Sequence, residues 1–461
     1  MRLFVIAGSV PYSRDGVPGV TAVNIVTYEL LHALLDSGHD VVLQMLFNAF
    51  RTTPVLAPSE VQALDALRAR GMVVLPPVFP EAYLRREDVS LRSRRWARFL
   101  GRLTGQVRVE DYYAAAGLRG VMAERLRAHE ADAILSIWSP EGVAATYQLR
   151  DWPKLAYHGD PDFHPIEVRG RDPGLFPTHQ GRRRWFPQAL RAWRGAWGLA
   201  GLKQAHLALM RDVDVIGNIM AANADWYTRQ GHPNSLYLRS LWRDPEPSFP
   251  GPAAGAEGAG RDRQVKIIGH AGSLSATGGT YGLQYLLVDV LPRLESVMAG
   301  LDYEVHVFGG GQIAPSLRPH LEHPRVVRRG FVQDYDQALR SSDVFLLLNN
   351  AGPYRGAHTR QIIAWAMGLC LVVHANSRQA IPETRHLENA LVGETPEEIA
   401  RLIRMAATDP ELNRRIRRGG RATYERYFRP RLIAEAMSRE LTKLVAGSSV
   451  VVGEATCAAT S

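Results

Sequence analysis

The chain has 461 residues, of which 46% are hydrophobic and 22% charged, and this length and composition suit two ordinary domains with real cores. Its two cysteines, Cys370 and Cys457, exclude a disulfide framework and favour a reducing compartment. The formal net charge of +9 is compatible with nucleic-acid or membrane-surface binding, but the excess is almost all arginine, and a compositional bias explains it as well as function does.

The first half of the chain alternates short apolar runs with helical patterns. Leu3–Ala7 is predicted as a buried strand, because the apolar start is too short for a signal peptide or a membrane span. A loop rich in Gly and Pro leads to an amphipathic helix from about Thr21 to Leu35. Further buried strands are predicted at 41–45, 72–75, 133–137, 155–158 and 213–216. Strands that alternate with helices indicate a parallel, doubly wound sheet.

A composition break separates this half from the rest. Residues 245–263 are rich in Pro, Gly and Ala without periodicity, which predicts a linker after a first domain of residues 1–244. A second α/β series fills 264–428, and a helix at 429–446 is expected to pack back on the first domain. The stretch 447–461 is predicted as a disordered tail. The expected fold class is α/β, with two Rossmann-like doubly wound domains that face a central cleft.

Three glycine-rich loops follow strands of the second half and end where helices begin. They are GHAGSLSATGGTYG, FGGGQ and NNAGPYRGAHTR. Backbone N–H groups in such loops bind phosphate, so three of them at one sheet edge favour a nucleotide-type ligand. The alternative for each loop is a tight turn without a ligand. The candidate ligand-binding residues in these loops are Gly272, Ser273, Gly309, Gly310, His358 and Thr359.

An ordered set of motifs from Val265 to about Phe428 resembles the donor domain of GT-B glycosyltransferases of the large retaining family 4. The motifs are VFGGG, RRGFVQDYDQALRSSDVFLLL, AWAMGLCLVV, ETPEEIARLIRMAATDPELNRRI and YERYF, and the first half matches more loosely through GVPGVTAVNIVTYELLHALLDSGHDV and HGD. The resemblance implies a nucleotide-sugar donor on the second domain and an acceptor on the first. It also implies that Val332 lies beside the nucleotide base and that Gly309 to Gly311 line its pocket.

The chain departs from this family at four charged positions. The resemblance implies one Arg and one Lys in the first donor-domain loop, which help the nucleoside diphosphate to leave, but Ser273 and Gly278 occupy those positions. It also implies two glutamates that contact the sugar and the ribose, and Arg355 and Ile363 stand in their place. The chemistry must therefore rest on other residues.

The pair Thr359-Arg360 is a candidate replacement, since divergent members of the family carry a similar pair in this loop. A guanidinium at a helix N-terminus binds a diphosphate bidentately and stabilises the charge that develops on it. We predict Arg360 and Arg355 as catalytic residues, with His358 adding to the phosphate contacts. The alternative for Arg360 is a solvated arginine at a helix start, which the helix dipole slightly disfavours.

Candidates on the acceptor side lie in the first half. His158 ends a predicted strand in KLAYHGDPDFHP and is predicted to orient the acceptor hydroxyl or take its proton, with Asp160 in a similar role. In a retaining transfer the leaving phosphate takes that proton itself, so a structural histidine bonded to backbone is the alternative. Gly16 and Gly19 are predicted to let the first loop approach the donor phosphates, with a simple turn as the alternative.

Arginines and aromatic residues alternate in the segment GRRRWFPQALRAWRGAWGLAGLK. Trp193 and Trp197 share a helical face there, which suits insertion into a membrane interface. The alternative is a helix packed on the core with a solvated basic side. We therefore consider peripheral contact with a membrane.

Three hypotheses follow. The first is a cytoplasmic glycosyltransferase, at work alone or at the inner face of the membrane, that moves a hexose from a nucleotide sugar to a glycan, a lipid-linked acceptor or a small molecule. No cofactor and no metal are expected, because no metal-ligand spacing occurs. The second is a non-catalytic GT-B protein that binds a sugar nucleotide or a partner. A nucleic-acid binder ranks last, since the arginines show no recognition-helix or zinc pattern.

Overall fold

The computed structural model contains two α/β domains, each built on one parallel sheet. It describes residues 1–12, 21–48, 51, 53–80, 91–176, 188–244, 264–332, 334–356 and 359–458, without the side chains of 91–95, 188–196 and 448–458. The predicted linker 245–263 and the predicted site residues Gly16, Gly19 and His358 lie outside the described residues.

The first domain holds seven parallel strands in the order β3-β2-β1-β4-β5-β6-β7. The strands are β1 (Arg2–Ala7), β2 (Asp40–Met45), β3 (Val73–Val74), β4 (Ala133–Ile137), β5 (Lys154–His158), β6 (Val215–Asn218) and β7 (Ser235–Tyr237). The strand order reverses direction between β1 and β4. In an open parallel sheet, the crevice beyond the carboxyl ends at such a point is the usual ligand site.

Nine α-helices connect these strands within the described residues. They are α1 (Ala22–Asp36), α2 (Pro58–Ala69), α3 (Leu91–Leu103), α4 (Val109–Tyr112), α5 (Arg119–Ala128), α6 (Pro140–Ala145), α7 (His164–Arg171), α8 (Gln188–Met210) and α9 (Ala221–Arg229). A 3-10 turn lies at Ala114–Leu118. The start of α1 is capped by Asn24, whose side chain accepts from the backbone N–H of Thr21 at 2.8 Å.

The second domain holds six parallel strands in the order β10-β9-β8-β11-β12-β13. The strands are β8 (Val265–Ala271), β9 (Tyr303–Phe308), β10 (Val326–Gly330), β11 (Val344–Leu347), β12 (Leu371–His374) and β13 (Leu391–Gly393). Its order reverses between β8 and β11, so this sheet also has a ligand crevice at its carboxyl edge.

The helices of the second half follow the same alternation. They are α10 (Thr277–Gln284), α11 (Leu291–Val297), α12 (Tyr335–Arg340), α13 (Thr359–Ala366), α14 (Ser377–Ala380), α15 (Pro396–Thr408), α16 (Pro410–Tyr427) and α17 (Pro430–Ala458). A π-helical stretch, Tyr285–Val290, joins α10 to α11. The proline that follows it, Pro292, has no N–H for a regular helical bond, which accounts for the irregularity at this point.

The predicted fold class is confirmed, because both halves alternate strands and helices around all-parallel sheets. Strands β4, β5 and β12 are buried along their whole length, since helices cover both faces of each sheet. Two strands were not predicted, β7 and β13. Each has only three residues, which is too short for a periodic pattern to stand out from the loops around it.

The last helix connects the two domains. Helix α17 packs against α1, and Oγ of Ser438 lies 2.7 Å from Nε2 of His39 in the first domain. Its backbone is helical to Ala458, whereas the sequence analysis placed a disordered tail at 447–461. No proline interrupts this alanine- and valine-rich stretch, so the helical hydrogen bonds continue past residue 446.

Candidate active site

The loops after β8 and β9 pack directly against each other at the carboxyl edge of the second sheet. Gly309 has a φ of 111°, and a Cβ there would lie 1.8 Å from the carbonyl oxygen of Gly272. Gly272 itself has a φ of 122°, and the N–H of Leu274 donates to the carbonyl of Gly310 at 3.0 Å. Glycine thus holds the two loops in backbone contact, and the N–H groups of Gly272 and Gly309 donate to the carbonyls of Phe308 and Gly330.

Arg360 reaches this loop from the second residue of α13. Its Nη1 donates to the carbonyl oxygen of Ala271, and it lies 3.4 Å from where a Cβ on Gly272 would stand. Burial lowers the pKa of Arg360, but a guanidinium stays charged in a protein. Among the residues that the structure describes, no carboxylate forms an ion pair with it. A partly buried charge without a counter-ion, beside an open glycine loop, is the arrangement of an anion site.

Two buried polar groups beside this loop have no hydrogen-bond partner among the described residues. They are Nε2 of His270, at the end of β8, and Nδ2 of Asn349, which packs against α10. Burial and the nearby charge of Arg360 lower the pKa of His270 to about 3, so its imidazole is neutral. Unsatisfied buried polar atoms are rare in native proteins and often mark a binding site.

The loop before α13 is held by its own polar groups. The side chain of Asn350 donates to the carbonyl of Gly356 at 3.1 Å and accepts from its N–H at 2.9 Å. Arg355 turns back into the loop, where Nη1 donates to the carbonyl oxygens of Asn350, Gly352 and Tyr354. The guanidinium of Arg355 therefore braces the loop in this structure, and its predicted catalytic role stays a prediction.

A cavity of about 320 Å³ opens beside the two stacked glycine loops. Its lining residues are Leu274, Val307, Gly309, Arg328, Arg329 and Gly330. Gly309 lines this cavity, and its predicted part in a base pocket stays a prediction. Val332 does not line this cavity and packs instead on the hydrophobic core. Its predicted contact with a nucleotide base stays a prediction.

His158 ends β5 on the edge of the first domain. Burial lowers its pKa to about 4, so the imidazole is neutral at neutral pH. Its buried Nε2 has no hydrogen-bond partner among the described residues. A neutral imidazole with an open nitrogen accepts a hydrogen bond or a proton from a hydroxyl group.

A hydrogen-bonded network lies behind His158, whose ring centroid is 5.8 Å from that of His206. The hydroxyl of Tyr113 donates to Oδ2 of Asp162 at 2.8 Å, and Nδ1 of His206 lies 3.2 Å from the same oxygen. Nε2 of His206 lies 2.6 Å from the hydroxyl of Tyr227. Burial alone would raise the pKa of Asp162, but the bonds from His206 and Tyr113 lower it. This network was not predicted from the sequence, in which its one visible signal is the second aspartate of HGDPD.

Tyr354 connects the two edges of the cleft. Its hydroxyl donates to Oδ2 of Asp160, and its ring stacks on His164 with centroids 5.5 Å apart. Asp160 also accepts from Nδ2 of Asn223 at 3.1 Å, and burial raises its pKa. The predicted site residue Asp160 therefore lies at the cleft, with a partner from the second domain that the sequence analysis did not single out.

A second contact across the cleft joins α7 to α10. Nε of Arg169 donates to Oγ1 of Thr277 at 2.7 Å, and the hydroxyl of Tyr281 donates to the carboxylate of Asp172. Phe176 packs edge-on against Tyr281 with centroids 5.3 Å apart. These residues were not predicted from the sequence, because the contact depends on how the domains meet.

The structure brings most predicted site residues to two facing edges. Gly272, Ser273, Gly309, Gly310, Thr359 and Arg360 lie on the second-domain edge, and His158 and Asp160 lie on the first-domain edge. Within the described ranges, no group of three or more His, Cys, Asp or Glu side chains is arranged to hold a metal ion.

The comparisons with known proteins agree with this architecture. Residues 265–409 match the model of the family described as glycosyl transferases group 1. No curated protein matches the chain by sequence. Sucrose-phosphate synthase from Thermosynechococcus elongatus is similar in structure at 13% identity, with a TM-score of 0.58 over 97% of this chain and 99% of that one.

Two further solved structures have the same arrangement of domains. HepE from Anabaena, in complex with UDP and glucose, matches at 14% identity and a TM-score of 0.56 over 96% of this chain and 99% of that one. The α,α-trehalose 6-phosphate synthase from Burkholderia multivorans matches at 14% identity and a TM-score of 0.57 over 98% of each chain. The chain therefore has the GT-B fold, and its second domain matches the group 1 glycosyl transferases, which confirms the resemblance to GT-B glycosyltransferases.

Proposed function

We propose that the protein transfers a sugar from a nucleotide-sugar donor to an acceptor hydroxyl in the cleft between its domains. The observation that carries this proposal is the guanidinium of Arg360, which has no carboxylate partner among the described residues and lies against the loop that begins at Gly272. Both lie in the segment that matches the group 1 glycosyl transferases. A diphosphate is an anion that such a charge and such a loop bind together.

The chemistry requires the bond between the anomeric carbon of the sugar and the diphosphate to break. Negative charge then grows on the leaving phosphate, and Arg360 with the N–H groups of the loop after β8 stabilises it. The acceptor oxygen bonds to the anomeric carbon and loses its proton. In the retaining route that we propose, the leaving phosphate takes this proton, and the open Nε2 of neutral His158 holds the hydroxyl in place.

The first donors to test are UDP-hexoses, since structures of HepE with UDP and with UDP-glucose are among the similar ones. The acceptor classes are a glycan, a lipid-linked sugar or a small molecule. Because Arg360 neutralises charge on the diphosphate, we expect turnover without a bound cation and without a cofactor.

The test is a panel of UDP-, GDP- and ADP-hexoses, read by thermal shift and by release of nucleoside diphosphate with and without EDTA. We expect one donor to raise the melting temperature and to be hydrolysed slowly, with no effect of EDTA. A panel in which no donor binds contradicts the proposal. Binding without hydrolysis or transfer favours the non-catalytic alternative, which the uncharged residues Ser273, Gly278 and Ile363 support.

We also propose that the first domain contacts an anionic membrane surface through α3. Trp96, Phe99, Leu100 and Leu103 follow helical spacing and are 64%, 37%, 54% and 62% exposed. The sequence of this helix also contains five arginines and no Asp or Glu, which complements anionic lipid headgroups. An enzyme docked in this way would work in the cytoplasm at the inner face of the membrane.

Trp197, one of the two tryptophans that were considered for membrane insertion, has a different part in this proposal. Trp197 is partly buried, with its ring 5.0 Å from Phe99 and under the guanidinium of Arg102 at 4.7 Å, so it supports the exposed stripe. The side chain of Trp193 lies outside the described residues. In the part of the chain that the structure describes, no helix combines the length and the apolar character that spanning a bilayer needs.

Flotation with phosphatidylglycerol-containing vesicles tests this contact. Replacing Trp96 and Leu103 together with Ser should lower binding about tenfold, while Val61→Ser, at an exposed position of α2, should keep it. Binding by the double variant at the parental level, or no binding by the parent, contradicts the proposal. A dimer that the double variant dissociates identifies a second copy as the occupant and contradicts it too.

A further inference from the structure

Two arginines from different domains bracket the loop between β8 and α10. Arg360 of α13 donates to the carbonyl of Ala271, where the loop begins. Arg169 of α7, in the first domain, donates to Oγ1 of Thr277, where the loop ends. Burial and Asp160 raise the pKa of Tyr354 while both guanidinium groups act in the opposite direction, so both lie within electrostatic reach of one hydroxyl.

Both ends of this loop therefore carry a positive charge. Among the described residues neither Arg169 nor Arg360 forms an ion pair with a carboxylate, although Arg171 on the same helix pairs with Glu167 at 3.2 Å. Thr277 is the first residue of α10, and a helix N-terminus repels a cation. Arg169 is exposed and solvated, and an anion between the two guanidinium groups would bind both of them.

We propose that Arg169 binds the diphosphate of the nucleotide-sugar donor from the first domain, opposite Arg360 of the second. This inference rests on the proposed glycosyl transfer and assigns a contact across the cleft within it. The guanidinium groups of Arg169 and Arg360 bind the diphosphate from opposite ends of one loop, so a bound donor draws the two domains together. In this structure the guanidinium of Arg169 donates to the hydroxyl of Thr277, which holds it at the end of the loop.

This contact makes the stabilisation of the diphosphate depend on closure of the cleft between the domains. Arg169 stabilises the leaving diphosphate only when the first domain meets the second, because α7 belongs to one domain and the loop to the other. A donor bound to an open protein would therefore lack one of its two cations. Cleavage of the donor before the cleft closes is disfavoured in this way.

The test is isothermal titration of UDP, GDP and ADP into the parent and four variants, with melting temperatures as a check on folding. Arg169→Ala should weaken binding of the preferred nucleoside diphosphate about ten- to a hundredfold, which is the usual effect of losing a charged hydrogen bond. Arg169→Lys should recover part of this loss, since it keeps the charge without the planar fork. Arg171→Ala, which removes a neighbouring surface arginine, should stay within about twofold of the parent.

Thr277→Val tests whether Arg169 binds the ligand or only holds the two domains together. It removes the partner hydroxyl and keeps the guanidinium, so a contact with the ligand predicts a much smaller loss than Arg169→Ala causes. Equal losses in Thr277→Val and Arg169→Ala, or parental affinity in Arg169→Ala, would overturn the assignment of Arg169 and leave the proposed function intact. A parent that binds none of the three nucleotides would overturn both.

Discussion

The two edges of the cleft are built from different kinds of groups. The second-domain edge consists of glycine loops, backbone N–H groups and the guanidinium of Arg360, which has no counter-ion among the described residues. The first-domain edge consists of side chains that satisfy one another, such as Asp162 and His206, and of the neutral imidazole of His158. The first kind of surface suits a diphosphate, which UDP-, GDP- and ADP-sugars share, and the second suits an uncharged hydroxyl.

The difference in charge between the two edges depends most on Arg360. We expect Arg360→Ala to lower turnover about a hundredfold, or about 3 kcal/mol of transition-state stabilisation, because leaving-group charge loses its preorganised donor. Steady-state kinetics with the preferred donor measure the effect. Arg385→Ala is the control, since Arg385 is a surface residue of the same domain that pairs with Glu388. Turnover in Arg360→Ala close to that of the control would show that the catalytic charge lies elsewhere.

The backbone contact between the two loops of the second-domain edge is tested at Gly309. A methyl group there meets the carbonyl oxygen of Gly272 in a left-handed conformation, so Gly309→Ala should cost about 2 kcal/mol of stability and disturb nucleotide binding. Gly310→Ala, where a Cβ has nothing within 4 Å, should keep the parental melting temperature. Chemical denaturation compares the two. Equal stability would mean that the loops are not in backbone contact in solution.

Lowering the pH should destabilise the folded protein through two neutral histidines, one on each edge of the cleft. Burial lowers the pKa of His158 to about 4 and that of His270 to about 3, so the folded chain resists protons that the unfolded chain takes up below about pH 6.5. The free energy of unfolding should then fall by about 1.4 kcal/mol per pH unit for each histidine as the pH drops from about 6.5 towards 4.

Denaturation curves between pH 7 and pH 4.5 measure this slope. His158→Gln should make this slope shallower by the contribution of one histidine. An unaltered slope in His158→Gln would mean that His158 takes up a proton as readily in the folded chain as in the unfolded chain, so that burial does not lower its pKa.

The smallest effect is expected where the two edges meet. Tyr354→Phe keeps the stack on His164 but removes the hydrogen bond to Asp160, which should weaken the domain contact by about 1 kcal/mol and raise the acceptor KM a few-fold. Small-angle scattering and acceptor kinetics measure these changes. Tyr285→Phe is the matched control, since its hydroxyl bonds the carbonyl of Glu394 at 3.3 Å within the second domain. If both variants behave alike, the hydroxyl of Tyr354 does not stabilise the contact between the two edges.

Much of the fold was predictable because its determinants are local. Apolar runs mark strands such as β4 and β12, and helical periodicity marks α1 and α15, since each pattern reflects burial of one element against its neighbours in the sheet. Gly272 and Gly309 were also visible, and both have the positive φ that favours glycine. The same reasoning placed Arg360 in the right loop, because a helix start can be read from the residues around it.

The sequence by itself thus determined the two parallel sheets, two of the glycine loops and the elements that carry candidates such as His158 and Arg360. Only the tertiary structure decided which side chains meet. Asp162 and His206 are 44 residues apart, Arg169 and Thr277 are 108 apart, and Asp160 and Tyr354 are 194 apart. It also decided that Arg355 turns into its own loop while Arg360 reaches Ala271. A periodic pattern records whether a residue is buried, but a contact between distant segments depends on how separate elements and domains pack, and no local pattern encodes that.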